Sequence, residues 1–454
     1  MRKLTTRGQK ILYAVSGLGV NMLNLMMGSY LCSAIIARGF AEEVKPFQTF
    51  AGVDLVIVSV WAVFGVTAKI IDGVIDVPMA AFADNLRSRF GRRRPALVIG
   101  MVPMIAAYLL FLVVPNPGQA TLLNTVYLGV VLCLFYSAYT LTMVTYYATF
   151  TEIVDSTEDR EFISNVKSVC DIFYFILGYV GVRVMLNGIN IRTVAVIVLP
   201  LVLTMIIPLF MIKEPDNRNS ETEKQESVGL IRSLCCTMKN KTFVLWMTVY
   251  SFMTFGVQLF LSGINEYFAG TGMNMILVMA ASFAPVPFAL LIYDRIFKRH
   301  GFGVAFRYAL AMFSAGMLAL FFVSNIPAGT AKTVFSVLGG VICSLAIGAL
   351  FSVAYSVPSQ LAAEEEKKTG VANSAMYFAV QGLFSGVATA VGSYIVLNAL
   401  KVSAGNLFDP NSFNPIYLMT VISAAGTLLA FVLTFMLPKS LLNMGKKNKT
   451  GNRK

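Results

Sequence analysis

The chain has 454 residues, of which 57% are hydrophobic and only 13% charged, with a mean hydropathy of +0.72. Soluble domains carry about 25% charged residues, so the soluble classes are excluded and a polytopic membrane protein is left. The net charge of +13, from 36 Lys and Arg against 23 Asp and Glu, would suggest nucleic acid in a soluble domain; in a membrane protein it must first be set against where the basic residues fall relative to the spans.

Apolar runs of about 20 residues, enough to cross a hydrocarbon core of ~30 Å, are expected near 11–37, 53–83, 96–115, 121–152, 163–187, 193–213, 242–268, 273–296, 303–324, 331–361, 370–400 and 414–438. The N-terminal MRKLTTRGQK runs into the first of them without a small-residue cleavage site and reads as the start of a span, not a removed signal peptide. The long polar stretch from Lys213 to Lys241 separates the sixth span from the seventh. The expected fold is therefore an all-α membrane protein of about 12 transmembrane helices in two six-helix bundles, residues 1–213 and 242–438, with a cytoplasmic linker at 214–241 and a basic cytoplasmic tail at 439–454. With both termini inside, about 29 of the 36 Lys and Arg fall in inner loops or termini, which sets the orientation N-in and C-in by the positive-inside rule. The high charge is then explained by topology and contact with anionic lipid, without nucleic acid.

The second span carries Lys69, Asp72 and Asp76 inside an apolar run and then breaks into a basic loop with Arg87, Arg89, Arg92, Arg93 and Arg94. The spacing i, i+3, i+7 puts the three charges along one helix face. At 1.5 Å per residue, Asp76 and Asp72 lie roughly 12 and 18 Å from the inner end of the span, too deep for easy escape to water. Two acids and one amine leave one negative charge if all ionise, which a bound Na⁺ or a shared proton would neutralise. A structural ion network around Lys69 is the competing reading. Sodium would need about five or six oxygens, and Thr67 or Asn24 could add to the carboxylates; a proton needs fewer and is slightly favoured.

The two halves echo each other. Asp84 is followed by Arg87, Arg89 and Gly91, and Asp294 by Arg295, Lys298, Arg299 and Gly301, with Gly seven positions after Asp in both cases. Each copy ends the second span of its half. Asp84, Arg87, Arg89, Arg92, Asp294, Arg295 and Arg299 are the expected gating residues, able to pin neighbouring helices in one state of a rocking cycle; a plain topogenic loop is the alternative.

The 6+6 layout with its repeated loop resembles the major facilitator superfamily. Within it, Lys69-x-x-Asp72-x-x-x-Asp76 followed by Arg87 to Pro95 is similar to the glycoside-pentoside-hexuronide cation symporters, the melibiose permease-like family, with further traces at Gly17, Gly19, Gly28, Thr151 to Arg160 and Tyr267-Phe268. The resemblance implies two six-helix bundles, alternating access, Na⁺ or H⁺ coupling, and service to the cation by Asp72 and Asp76. The family's sugar-site pattern is replaced: Asn24 stands for an acid in the first span, Met143 for an acid in the fourth, and Ser385 or Gly386 for a lysine in the eleventh, while a sugar-binding basic residue falls within one position of Lys167.

Transporters hold substrate near the midplane, and the polar and aromatic groups available there suit a polyol. The candidates are Asn21, Asn24, Tyr136, Tyr139, Tyr147, Lys167, Asp171, Tyr250, Gln258, Tyr377 and Gln381, with Asp171 foremost because a mid-helix acid wants a function or a partner, and Lys167 one turn earlier could be that partner. Arg183 and Glu266 lie near outer ends and read as solvated or gate charges; Glu364 to Lys368 reads as a solvated inner loop. The six cysteines read as free thiols. With no phosphate-binding loop and no paired metal motif, the chain is expected to be no enzyme and to use no cofactor beyond H⁺ or Na⁺ as coupling ion. It is expected to act as a monomer in the plasma membrane, the inner membrane in a bacterium, on a small-molecule substrate: a sugar, glycoside or similar polar solute taken up by cation symport. A lysolipid carrier or multidrug exporter on the same fold is the alternative, and a non-transporting sensor a more distant one.

Overall fold

The computed structural model describes residues 6–40, 42–153, 163, 166–167, 170–171, 173–212, 214–216, 238–369, 374–405 and 414–444. Most of the expected linker, the segment 154–162 and the end of the tail lie outside these residues. Among the described residues the regular structure is all helical, without a strand. Contacts divide the chain into two compact units, Met1–Ser227 and Val228–Lys454.

In the first unit α1 (Arg7–Ala34) is followed by α2 (Val58–Asn85), α3 (Arg93–Phe111), α4 (Leu122–Glu152), α5 (Phe173–Met185) and α6 (Ile191–Met211). The second has α7 (Lys241–Ser262, with an outer segment Ile264–Thr271), α8 (Met275–His300), α9 (Phe302–Ser324), α10 (Thr330–Thr369), α11 (Ser374–Ala390, continued by Val391–Val396 and Leu397–Gly405) and α12 (Pro415–Met436). Eleven of these are long and apolar enough to cross a bilayer; α5 is described over a shorter apolar stretch, preceded by helical Lys167 and Asp171.

Local chemistry sets the helix starts. Thr6 and Gln9 form a reciprocal capping box on α1, Thr121 accepts from the Asn124 amide at 3.1 Å to start α4, and Asn240 caps α7 through the Phe243 amide at 3.3 Å, each satisfying an amide that has no partner inside the helix. Two boundaries differ from expectation for physical reasons. The run Glu364 to Lys368 belongs to α10, which extends to Thr369, because Ala, Glu and Lys are strong helix formers and nothing there breaks the ladder. Expected as a continuous span, α7 instead stops at Gly263 and restarts as Ile264–Thr271.

Helices α5 and α11, equivalent members of their units, both widen into a π-helical turn, at Leu177–Gly181 and Val391–Val396, and α1 does so at Met26–Leu31. Such turns concentrate at functional sites. In the first unit the widened turns face one another: Tyr30 Oη donates to the Gly178 carbonyl at 2.8 Å, and the Ser29 and Tyr179 hydroxyls are 3.1 Å apart. At the other end of α1, Tyr13 and Tyr146 each donate to the other's carbonyl, at 2.8 and 2.9 Å, with rings stacked at 5.0 Å. Helix α1 is thus held at both ends by hydroxyl-to-carbonyl bonds, the kind of polar link that joins helices where the lipid gives no hydrophobic drive.

Candidate functional site

Helix α2 brings its charged stripe against α4. Lys69 Nζ lies 3.3 Å from Asp72 Oδ2 and 3.7 Å from the centre of the Tyr136 ring. Thr140, one turn beyond Tyr136 on α4, donates to Asp72 Oδ1 at 2.9 Å. Both oxygens of Asp72 are therefore engaged, by an amine and a hydroxyl. Asp76 is partly buried one turn further along the same face and has no hydrogen-bond or ion-pair partner among the described residues. The stripe thus separates into a paired carboxylate and an unpaired one.

Sodium-ligand expectations change here. Thr67 is exposed and its hydroxyl donates back to the Val63 carbonyl at 2.8 Å, while Thr140, one turn before Met143, is the hydroxyl at Asp72. Nothing in the sequence marks Thr140 over other span threonines; only the packing of α4 against α2 selects it.

A second polar chain crosses α1, α4 and α5. Lys167 Nζ meets Asp171 Oδ2 at 2.6 Å and lies 5.2 Å from the Tyr147 ring centre. Asn21 Nδ2 donates to Asp171 Oδ1 at 3.4 Å, and Tyr139 Oη donates to Asn21 Oδ1 at 3.4 Å. Five candidates from three spans are brought into one chain, and it is partly open: the side chains of Lys167 and Asp171 are 18% and 35% exposed. Adjacent residues of α4, Tyr139 and Thr140, each serve one cluster, so the two clusters share that helix.

The other candidates stand apart. Asn24 and Gln258 are partly exposed and make no hydrogen bond among the described residues. Tyr377 accepts from Asn240 Nδ2 at 2.9 Å and Gln381 accepts from Trp246 Nε1 at 3.2 Å, the first bond part-buried and the second buried, and both tie α11 to the start of α7.

At the gating loops, Arg87 and Arg89 are exposed, Arg89 lying over the Phe90 ring at 4.7 Å, and Arg92 sits at the start of α3. The Asp84 side chain lies outside what the structure describes. Asp294 pairs with Lys298 at 3.5 Å on the exposed end of α8, beside exposed Arg295 and Arg299. Gly91 and Gly301 have φ of 81° and 91°, so the glycine shared by the two copies supplies a backbone that other residues rarely adopt. Sequence reading missed Glu214: placed in the linker, it instead accepts the Arg93 amide at 2.8 Å and packs on Gly91, giving the N-terminus of α3 the negative partner its dipole favours. An acid immediately after the sixth span was the available signal.

Of the two readings for Glu266, a solvated charge or a gate charge, its burial against Lys401 removes the solvated one.

The long apolar helices define a polytopic membrane protein. The family model described as MFS/sugar transport protein matches residues 12–443, and the chain belongs to that family. A search of characterised proteins by sequence returns no match. Among solved structures the chain is similar to the nucleoside transporter NupG (TM-score 0.59, 14% identity, covering 94% of this chain and 97% of that one). It is also similar to a POT family transporter solved with 5-aminolevulinic acid (0.61, 13%, 95% and 95%) and to a bacterial homologue of the iron transporter ferroportin in an inward-facing state (0.60, 11%, 96% and 99%). At these identities the likeness is one of fold.

Proposed function

We propose that the chain is a cation-coupled symporter of the glycoside-pentoside-hexuronide type, taking up a sugar, glycoside or similar small polar solute across the plasma membrane, or the inner membrane of a bacterium, by alternating access. The observation that carries the reading is the unequal treatment of two carboxylates on one face of α2: Asp72 is held by Lys69 and Thr140, while Asp76 is not. With Lys69, Asp72 and Asp76 all ionised the stripe carries one net negative charge, which is costly to enclose away from water. A cation at Asp76 brings the sum to zero, and the neutral site can then be enclosed; loading permits the closed state and an empty site resists it. Since both Asp72 oxygens are engaged, a proton on Asp76 fits with fewer ligands than the five or six oxygens of Na⁺, and H⁺ is the favoured coupling ion.

The polar chain Tyr139, Asn21, Asp171, Lys167 and Tyr147 supplies donors, acceptors and aromatic faces on the first unit, the chemistry that holds a hydroxyl-rich solute. Family membership supports transport of this substrate class. Gln258, Tyr377 and Gln381 are the corresponding proposals on the second unit.

The test is uptake into proteoliposomes. Wild-type protein accumulates a sugar or glycoside, found first by thermal-shift screening with and without Na⁺ at two pH values, against its gradient when an ion gradient is imposed. Asp76→Asn abolishes accumulation and retains substrate-induced thermal stabilisation. Undiminished accumulation by Asp76→Asn would remove Asp76 from coupling; stabilisation by lysolipids alone would replace the substrate class.

A further inference from the structure

The second unit holds an ion pair that the coupling site does not use. Lys401 Nζ donates to Glu266 Oε1 at 2.7 Å, and the two side chains are 1% and 0% exposed. Glu266 lies in the first turn of the outer segment Ile264–Thr271, where the helix start created by the break favours an acid, and Lys401 lies within the Leu397–Gly405 continuation of α11. The break is tightly packed, since a Cβ on Gly263 would overlap Met419 and Leu397. Among the described residues, two neutral bonds also hold the segment: Tyr267 Oη donates to the Leu320 carbonyl at 2.8 Å, and Tyr417 Oη to the Gly270 carbonyl at 3.0 Å. Below the break, the Ser262 and Ser393 hydroxyls meet at 2.7 Å beside the widened turn of α11.

A buried ion pair is a poor fastener if holding is all that is required. Desolvation of both charges offsets most of their attraction, so an apolar pair of similar volume would join α7 and α11 at least as firmly. An ion pair differs in how it comes apart. When water reaches it, each charge recovers its hydration as the contact is lost, whereas an apolar pair gains nothing from water. The pair sits on a short helix that is already separated from the rest of α7, and Glu266 is placed where the helix dipole favours it in the dry state.

We propose that Glu266 and Lys401 are positioning residues for the transport cycle, forming a water-released latch that seats the outer segment of α7 on α11 when closed and frees it when solvent enters. The proposal rests on the transport reading, but not on the identity of the solute or of the coupling ion.

The test places a reporter, Ile264→Cys, in the outer segment and follows its reaction with a membrane-impermeant maleimide in proteoliposomes, against the same proteins without the added cysteine. In the wild-type background the buried reporter is labelled slowly, as the segment lifts. Glu266→Leu/Lys401→Met remains at least as thermally stable, yet its labelling falls about tenfold or more because the apolar contact has no wet alternative. The swapped pair Glu266→Lys/Lys401→Glu, which keeps an ion pair but sets a cation at the start of the outer segment, labels at least as fast as wild type. Wild-type labelling in the apolar double variant would reduce the pair to packing and overturn the proposal. So would a reporter that never reacts in the wild-type background, and so would a swapped pair labelled as slowly as the apolar one. Should the apolar double variant lose its fold, the swapped pair decides alone. Labelling that follows the pair in a protein unable to perform gradient-driven uptake would keep the latch and remove the symport reading; uptake with labelling indifferent to the pair would do the reverse.

Discussion

Asp72 and Asp76 are four residues apart on one helix face, and their surroundings give them opposite tasks. Asp72 is bonded to Lys69 and Thr140, so removing the amine leaves a mostly buried carboxylate uncompensated. Lys69→Met is expected to destabilise the protein by about 1–3 kcal/mol, less than for a fully buried pair because both side chains retain some exposure, and Lys69→Met/Asp72→Asn recovers most of the loss. A double-mutant cycle by thermal or denaturant unfolding in detergent checks it. Asp76 has no such partner, so Asp76→Asn removes a desolvation cost without breaking a bond and is expected to raise the melting temperature while abolishing coupled uptake. A fall in melting temperature would show that Asp76 is structurally engaged. At the loops, Gly301 has φ 91° and ψ 172°, a region that essentially only glycine adopts, and a Cβ there would lie 2.9 Å from the Leu442 carbonyl. Gly301→Ala is therefore expected to cost about 1–3 kcal/mol, read as a lowered unfolding midpoint.

Helix packing rests on a few polar ties placed at helix ends. The reciprocal bonds between Tyr13 and Tyr146 join α1 to α4, and each hydroxyl is worth about 0.5–1.5 kcal/mol. Tyr13→Phe and Tyr146→Phe are each expected to destabilise by that amount, and the double variant by less than the sum, because the two rings stack and share one contact. Additive losses would show that the two bonds act independently. The same logic separates candidate residues by their bonds. Tyr377 and Gln381 are buried and accept from Asn240 and Trp246, whereas Lys167 and Asp171 retain exposed surface while bonded to each other. Sequence pattern ranked all four together as span residues with polar tips; it could not tell the buried from the open ones, because the difference lies in which neighbouring helix supplies a partner.

Across the whole molecule, the placement of Lys and Arg predicts both termini on the inner side. A fluorescent protein fused after Lys454 is expected to fluoresce, a phosphatase fused after Asn325 in the α9–α10 connection to be active, and one fused after Gly301 to be inactive. An active phosphatase after Gly301 would reverse the orientation. The extension of α10 to Thr369 fits this topology. Its 40 residues span about 60 Å at 1.5 Å per residue, far more than a ~30 Å hydrocarbon core requires.

The apolar spans, the helical class and the charged face of α2 were legible in the sequence because they depend on composition and on the 3.6-residue period alone. Hydrophobic length marks a bilayer helix whatever it packs against, and i, i+3, i+7 spacing aligns Lys69, Asp72 and Asp76 on any helix. The repeated glycines Gly91 and Gly301 were legible as a motif, and their positive φ gives the reason. Partner choice was decided only by tertiary structure. That Thr140 and not Thr67 bonds Asp72, that Glu214 leaves the linker to seat on α3, and that Glu266 turns away from water to meet Lys401 across 135 residues of chain all follow from which helix faces approach one another. A buried charge must find its partner wherever packing places one, and sequence distance carries no record of that.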